Sequence, residues 1–299
     1  MRCIYATAAI IAVLVAGVGC GKGDDTSATP KKDGAVLETR MERLTQSLTH
    51  ADSTLALDKP VARWLLPPDL SEISGLALTP DGRLFAHNDE NARITEIDYR
   101  RGTITKHFFV GENVRGDFEG IVYAQDRFIL LSSDGNLYEF PEGGEGEKVG
   151  YKEHDTKLGK ECEFEGLTYD TSANAIVLAC KNVNIKKFKQ VLVLYRYHLD
   201  TGETSELTVP YSEVIGKNHW KQLRPTDITV DPSNGNFVMV DAQEKALVVL
   251  TPAGKVVLSR PLDGKHAQPE GIAITKDHIL MISDESNKTA ATLTLYRWP

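Results

Sequence analysis

The residues that could do chemistry in this chain are carboxylates repeated at fixed spacing. Five copies of a short phrase have glycine or aspartate at their third position, and in three of them a glutamate comes directly before it. Fourteen residues later, four of the five copies have another acid. Crowded carboxylates repel one another, and the repulsion is relieved when a group binds a proton or a cation. The spacing therefore predicts an acidic surface that could hold a cation.

The expected cation is calcium, with magnesium next, because the predicted ligands are all oxygen atoms. The first four expected ligands are Glu119, Glu165, Asp227 and Glu270. A second set consists of Asp89, Asp134, Asp241 and Asp284. No Asp-x-Asp-x-Asp-Gly loop is present, so a site would have to be assembled from separate segments. The alternative left open is that an acid before glycine hydrogen-bonds backbone amides of a neighbouring segment.

Basic and aromatic residues form a second candidate group, between the third and fourth copies of the phrase. The expected ligand-binding residues are Lys187, His219, Trp220 and Arg224. Beside the predicted acidic surface, these basic side chains could hold the phosphate or carboxylate group of a small anionic ligand. The alternative is a solvated loop whose lysines balance nearby acids.

Catalytic motifs give no assignment, and the catalytic residues stay unknown. The chain has no Gly-x-Ser-x-Gly, His-Glu-x-x-His or Gly-x-x-x-x-Gly-Lys pattern. His87 is the best acid–base candidate, and it could equally be a core histidine. The sequence therefore favours a binding protein over an enzyme.

The elements that must position these residues are read from the repeated phrase. Its copies are Ser74-Gly75-Leu76, Glu119-Gly120-Ile121, Glu165-Gly166-Leu167, Thr226-Asp227-Ile228 and Glu270-Gly271-Ile272. Each copy begins a run of short strand-like segments, which is typical of a propeller blade. One step between copies is long by about fifteen residues, whereas a further blade needs about forty. We therefore predict an all-β, five-bladed propeller over residues 58–299 rather than a six-bladed one, with residues 61–66 completing the last blade.

The first 57 residues are predicted to direct and tether the protein. Residues 1–19 have a positive start, an apolar run and small residues before Cys20, as in a bacterial lipoprotein signal. Cys20 is the predicted lipidation site. Residues 20–57 read as a tether, with a short amphipathic helix over residues 36–50. An ordinary signal peptide or an uncleaved anchor is left open.

Composition and cysteines agree with an exported globular protein. The net charge of −8 over 299 residues excludes the basic footprint of a nucleic-acid binder. Cys162 and Cys180 flank a predicted hairpin, and they could form a disulfide in an oxidising periplasm or remain two separate thiols.

The phrases Ser74-Gly75-Leu76, Glu119-Gly120-Ile121 and Glu270-Gly271-Ile272, with acids that end the second strands, resemble those of SdiA-regulated (YjiK/CarP-like) β-propellers. The resemblance implies a place in the cell envelope, and one branch of the family is described as calcium-regulated. It carries no established catalytic residues. The expected protein is a membrane-anchored lipoprotein facing the periplasm, a calcium-responsive module that binds a ligand or a protein.

Two other functions remain open. A metal-dependent hydrolase could use a carboxylate-bound cation to activate water for attack on a phosphoester, ester or lactone. The third possibility is a structural platform with no binding site at its axis. The fold does not decide between these functions, because propellers occur in proteins of all three kinds.

Overall fold

The five-bladed propeller predicted from the sequence is confirmed. The computed structural model describes residues 59–112, 114–262, 265–286 and 289–299. Within them, five sheets each have four antiparallel strands, and one sheet has a further short strand. The innermost strand of each sheet contacts the innermost strand of the next, and the fifth contacts the first, so the sheets form a closed ring.

The strands of the first four blades follow one another outward from the axis in chain order. The first blade contains β2 (Ile73–Leu78), β3 (Leu84–Asn88), β4 (Arg93–Asp98) and β5 (Thr103–Val110), and the second contains β6 (Phe118–Ala124), β7 (Arg127–Ser132), β8 (Asn136–Phe140) and β10 (Lys152–Asp155). The third contains β11 (Cys162–Asp170), β12 (Ala175–Val183), β13 (Val191–Tyr197) and β14 (Thr204–Pro210). The fourth contains β15 (Asp227–Val230), β16 (Phe237–Asp241), β17 (Ala246–Leu250) and β18 (Val256–Pro261).

The fifth blade is completed by the first strand of the described chain, as the sequence predicted. It contains β19 (Pro269–Ile274), β20 (Ile279–Asp284), β21 (Thr292–Arg297) and, outermost, β1 (Ala62–Leu65). β1 is antiparallel to β21, with Ala62 opposite Leu295 and Leu65 opposite Thr292. This pairing closes the ring between its two ends and covers an open sheet edge.

The strand-like sequence of residues 148–152 predicts the outer strand of the second blade, and this prediction is wrong. Instead, β9 (Lys148–Val149) pairs in parallel with β5 of the first blade, and the outer strand begins at Lys152. The reason is burial: Val149 is only 6% exposed and belongs to the cluster that packs between the first two blades.

The spacing between the third and fourth copies of the phrase is longer than the others, and its extra residues are spread over two connections. β11 and β12 each have nine residues, and a 3-10 helix (Lys186–Phe188) follows them. Helix α1 (Tyr211–Ile215) then lies between β14 and β15. No sixth sheet occurs in the described parts of the chain. No helix among the described residues has the length and apolar character that a membrane span needs.

The third residue of each repeat lies where the blades come closest. A Cβ on Gly120 would lie 3.0 Å from the Cα of Gly166, and one on Gly75 would lie 3.1 Å from the Cα of Gly120. Side chains are therefore excluded at these positions by neighbouring backbone. Gly166 also has a φ of +79°, which L residues rarely adopt.

The fourth blade has Asp227 in place of this glycine, and its carboxylate fills the axis. Oδ2 accepts a hydrogen bond of 2.8 Å from the backbone of Ile272, and Oδ1 accepts one of 2.8 Å from Ile228. The backbone of Leu76, in the first blade, is a third donor. Asp227 is 1% exposed. One side chain therefore ties together the fourth, fifth and first blades.

Close packing at the axis predicts that Gly166→Ala destabilises the fold far more than its backbone angle requires. The new Cβ would lie 2.6 Å from the Cα of Asp227. We expect a loss of about 3 kcal/mol or more in the free energy of unfolding, measured by urea titration. Gly82→Ala is the matched control, because Gly82 has a φ of +83° and open space around it. That variant should lose about 1 kcal/mol. Equal losses would contradict the packing argument.

Candidate functional site

The candidate site lies on the face of the ring where innermost strands begin and second strands end. Glu119 and Glu165 stand near the starts of β6 and β11, and Glu270 stands near the start of β19. Lys181 lies near the end of β12, which pairs with β11. We call the surface formed by these four residues the acidic mouth. Three blades contribute to it.

Lys181 is the cation of the acidic mouth. Its Nζ donates a hydrogen bond to Glu165, whose side chain is 5% exposed. Its charge also lowers the pKa values of Glu119 and Glu270, so it lies close to both. One ammonium group is thus shared by three carboxyl groups.

The single positive charge of Lys181 does not keep the pKa values of Glu119 and Glu270 in their ordinary range. Burial, followed by the negative charge of Asp117, raises the pKa of Glu119 to about 8. Burial raises the pKa of Glu270 to about 7, although a hydrogen bond from Gln268 opposes it. At neutral pH these two groups therefore carry less than their full charge.

More acids extend the acidic mouth toward the first blade. Burial, and then the charge of Glu72, raises the pKa of Asp89 to about 6. Burial and the charges of Asp89 and Glu72 raise the pKa of Glu285 as well. Two oxygens in this region, Glu165 Oε2 and Asp89 Oδ1, are buried and accept no hydrogen bond from the described residues. Both oxygens therefore have lone pairs that the described residues leave unused.

Four of the eight predicted metal ligands accept hydrogen bonds from within the fold. Asp227 binds backbone amides at the axis. Asp241, which is fully buried, accepts from the backbone of Arg224 at 2.6 Å and of Glu244 at 2.8 Å. Asp134 is exposed and caps its own turn through Ser132 and Asn136.

Asp284 is the fourth, and it belongs to a buried network in the fifth blade. It accepts from His266 Nδ1 at 2.8 Å and from Thr292 Oγ1 at 3.1 Å. His266 Nε2 in turn lies 2.7 Å from the hydroxyl of Tyr296. All four residues are less than 5% exposed, so the network positions strands and is closed to ligands. Among the described residues, no three Asp, Glu, His or Cys side chains are arranged to hold a metal ion.

The predicted ligand-binding residues are not brought together. Lys187 pairs with Glu206 at 2.6 Å, on the outermost strand of the third blade, and lies 4.6 Å from the ring centroid of Phe188. Trp220 packs against the hydrophobic cluster between the third and fourth blades. Arg224 donates to Gln243 at 3.2 Å, whereas His219 is exposed.

The two cysteines of the third blade form a disulfide. Cys162 and Cys180 have Cα atoms 5.6 Å apart, and the bond joins β11 to β12. The pairing between these strands is irregular beside Phe164, where two register shifts occur. The disulfide thus fixes the strand pair that positions Glu165 and Lys181.

His87 is a core histidine in this structure. It is fully buried, and burial lowers its pKa to about 4. Its Nε2 has no hydrogen-bond partner among the described residues, and a Cβ on Gly75 would lie 2.8 Å from that atom. A histidine that stays neutral and enclosed is poorly placed for proton transfer at neutral pH.

Two features of the site were missed by sequence reasoning. Lys181 follows directly after Cys180, the one repeat position that has no acid, and this replacement was the available signal for its central role. The His266–Tyr296 contact had no signal, because it depends on packing across the fifth blade.

The comparisons with known proteins agree with the fold and with the resemblance noted from the sequence. The model of the family described as SdiA-regulated matches residues 224–297, which confirms the resemblance over that segment. No curated protein matches the chain in sequence.

Solved structures with the same fold include several enzymes. Glutaminyl cyclase from Myxococcus xanthus has a TM-score of 0.55 at 13% identity, covering 79% of this chain and 94% of its own. The luciferin-regenerating enzyme has a TM-score of 0.52 at 9% identity, and the match covers 80% of this chain and 95% of the enzyme. The PQQ-bound aldose sugar dehydrogenase from Streptomyces coelicolor has a TM-score of 0.51 at 13% identity, and the match covers 81% of this chain and 98% of the enzyme. At such identities the likeness shows the fold alone.

The raised pKa of Glu119 predicts a pH-dependent gain from Glu119→Gln. The folded-state pKa of Glu119 is about 8, whereas its ordinary value is 4.5. Its contribution to folding stability is therefore complete below pH 4.5, and it falls as the pH rises until it is lost above about pH 8. The variant should therefore melt about 3–6 °C higher than wild type near pH 9, with little difference near pH 5. Glu213→Gln, at an exposed position of α1, is the control and should show no such trend. A constant difference across pH would contradict the assignment.

Proposed function

We propose that the protein is an exported, membrane-tethered binding module whose acidic mouth takes a divalent cation, calcium first. Occupation of the acidic mouth would adjust the binding of a ligand or protein partner on the same face. The observation that carries this proposal is the convergence of three glutamates from three blades, Glu165 buried and the other two half-buried, on a single lysine.

The charge imbalance supports a cation rather than an anion. Lys181 faces Glu119, Glu165 and Glu270, and the acids Asp89 and Glu285 extend the same surface. A divalent cation would supply two positive charges where the protein supplies one. Its binding would displace the protons that burial now keeps on Glu119 and Glu270.

The donor atoms support calcium, but the site is not preformed. Carboxylate oxygens suit calcium, and Glu165 Oε2 and Asp89 Oδ1 are buried without a partner among the described residues. No three-residue metal group is present among those residues, and Lys181 holds Glu165. A bound cation would therefore have to take the place of the Lys181 ammonium. Lys181 would act as an internal competitor.

Two features support the envelope location. The Cys162–Cys180 disulfide suits an oxidising compartment. The predicted signal and Cys20 lie outside the described residues, and they remain predictions. A flexible tether after a lipidated cysteine would leave the propeller free to meet partners at the membrane surface.

Calcium is expected to raise the melting temperature of the folded domain. At a calcium concentration of about one hundred times Kd, the shift should be about 5–10 °C. Magnesium should give a smaller shift, and excess chelator should reverse both. The triple variant Glu119→Gln, Glu165→Gln, Glu270→Gln should lose the response. Lys181→Met should strengthen it, because the internal competitor is gone.

A matched control separates the acidic mouth from general charge effects. Asp134→Asn changes an exposed acid that caps a turn, and it should keep the calcium response of the wild type. No calcium shift in the wild type would overturn the cation proposal. Turnover of a phosphoester or lactone by the calcium-loaded protein would replace the binding module by the hydrolase alternative.

The tether is tested separately by Cys20→Ser in the full chain. We expect the protein to be found in the membrane pellet of a bacterial host, and the serine variant in the soluble periplasmic extract. Lipid attached at Cys20 is the physical reason, because an acylated cysteine anchors through buried methylene groups. Equal membrane retention of both proteins would contradict lipidation at this residue.

A further inference from the structure

A cavity lies at the opposite end of the ring from the acidic mouth. Its volume is about 810 Å³, and its lining comes from the later residues of all five innermost strands, the turns that follow four of them, and part of the outer strands of the first blade. We call it the turn-side cavity. Its inner wall is apolar and includes Leu76, Leu167 and Ile228, which are 5% exposed or less. Nothing in the proposed function uses this space.

The wall also offers backbone hydrogen-bonding groups. Strands β2, β6, β11, β15 and β19 are the edges of their sheets, and each pairs with a neighbour on one side only. The other side of each strand faces the axis. N–H and C=O groups on such an edge are available to a molecule that enters the cavity.

Tyrosine and threonine side chains add a few hydroxyl groups to this wall. Tyr123 is half-buried, and its ring packs edge-on against Phe128 at a centroid distance of 4.9 Å. Tyr169 is also half-buried, and its hydroxyl donates to Asn174 at 2.6 Å. Thr168 and Thr229 lie between these aromatic and apolar positions. Their hydroxyl groups can donate or accept.

Most charged side chains that line the cavity are paired within the protein. Arg83 pairs with Glu142 at 2.5 Å and with Asp81 at 2.9 Å. Arg100 has Asp277 at 3.9 Å, whereas Lys276 is exposed at the surface. The inner wall itself has no charged side chain among the lining residues of the innermost strands. A charged ligand would therefore be desolvated there without an opposite charge.

We propose that the turn-side cavity is a second binding site, and that it takes an uncharged small molecule with an apolar or aromatic body and a few hydrogen-bonding groups. Its volume lies in the range of sites that enclose drug-sized ligands. The apolar wall would bury the body of the ligand, and the strand edges and hydroxyl groups would orient it. The two ends of one axis would thus bind opposite classes of ligand.

Two related fluorescent probes test the proposal directly. N-phenylnaphthylamine is uncharged, and anilinonaphthalene sulfonate has nearly the same rings with a negative charge. The folded domain should bind one molecule of the uncharged probe, and the sulfonate should bind more weakly by about tenfold or more. The triple glutamine variant of the acidic mouth should bind the uncharged probe as the wild type does, which separates the two sites.

Substitutions locate the bound probe. Thr229→Arg puts a charge into the wall, and Thr171→Trp fills the exposed rim, where the fold should tolerate it. Both should weaken binding of the uncharged probe about tenfold, whereas Thr208→Arg, on the exposed face of β14, should not. Melting curves verify folding of each variant. The proposal is overturned by no binding of the uncharged probe, by tighter binding of the sulfonate, or by equal probe binding in the wild type and both cavity variants.

Discussion

The close approach of the five innermost strands is the constraint on which the rest of this structure depends. Gly75, Gly120, Gly166 and Gly271 leave no room for a side chain where neighbouring blades meet. Asp227 occupies the fifth position, and its carboxylate accepts hydrogen bonds from two other blades. The axis is narrow at this level, and the acids and the apolar wall lie on opposite sides of it. Two environments of different polarity can therefore exist within one small ring.

The acidic mouth carries a cost in stability. Burial makes ionisation of Glu119 and Glu270 unfavourable, and one lysine offsets only part of the repulsion. A hydrophobic replacement would remove this unfavourable energy, so the fold alone does not need these acids. Asp227, Asp241 and Asp284 are more deeply buried, and each accepts hydrogen bonds from the surrounding fold. Removing one of these three carboxylates would leave its donors without an acceptor.

The fold was largely predictable from the sequence, whereas the candidate site was not. Blade number and ring closure follow from local signals, since the repeated glycine and the spacing of short strands require nothing beyond neighbouring residues. The role of an acid depends on which amide faces it in space. Asp284 and Glu119 were both predicted as metal ligands. In the structure, His266 and Thr292 donate hydrogen bonds to Asp284. Glu119 instead lies near the charges of Asp117 and Lys181. The turn-side cavity was also beyond reach, because it arises from the shape of five strand ends together.

The closing strand gives the ring a mechanical weak point. β1 is held to the fifth blade by its pairing with β21, and Arg63 adds bonds to Thr292 at 3.2 Å and to the backbone of Lys265 at 2.7 Å. Any pull on the chain before Lys59 reaches the propeller first through this outer strand. Load applied there would thus be borne by the pairing of β1 with β21, while the innermost strand β19 lies three strands away.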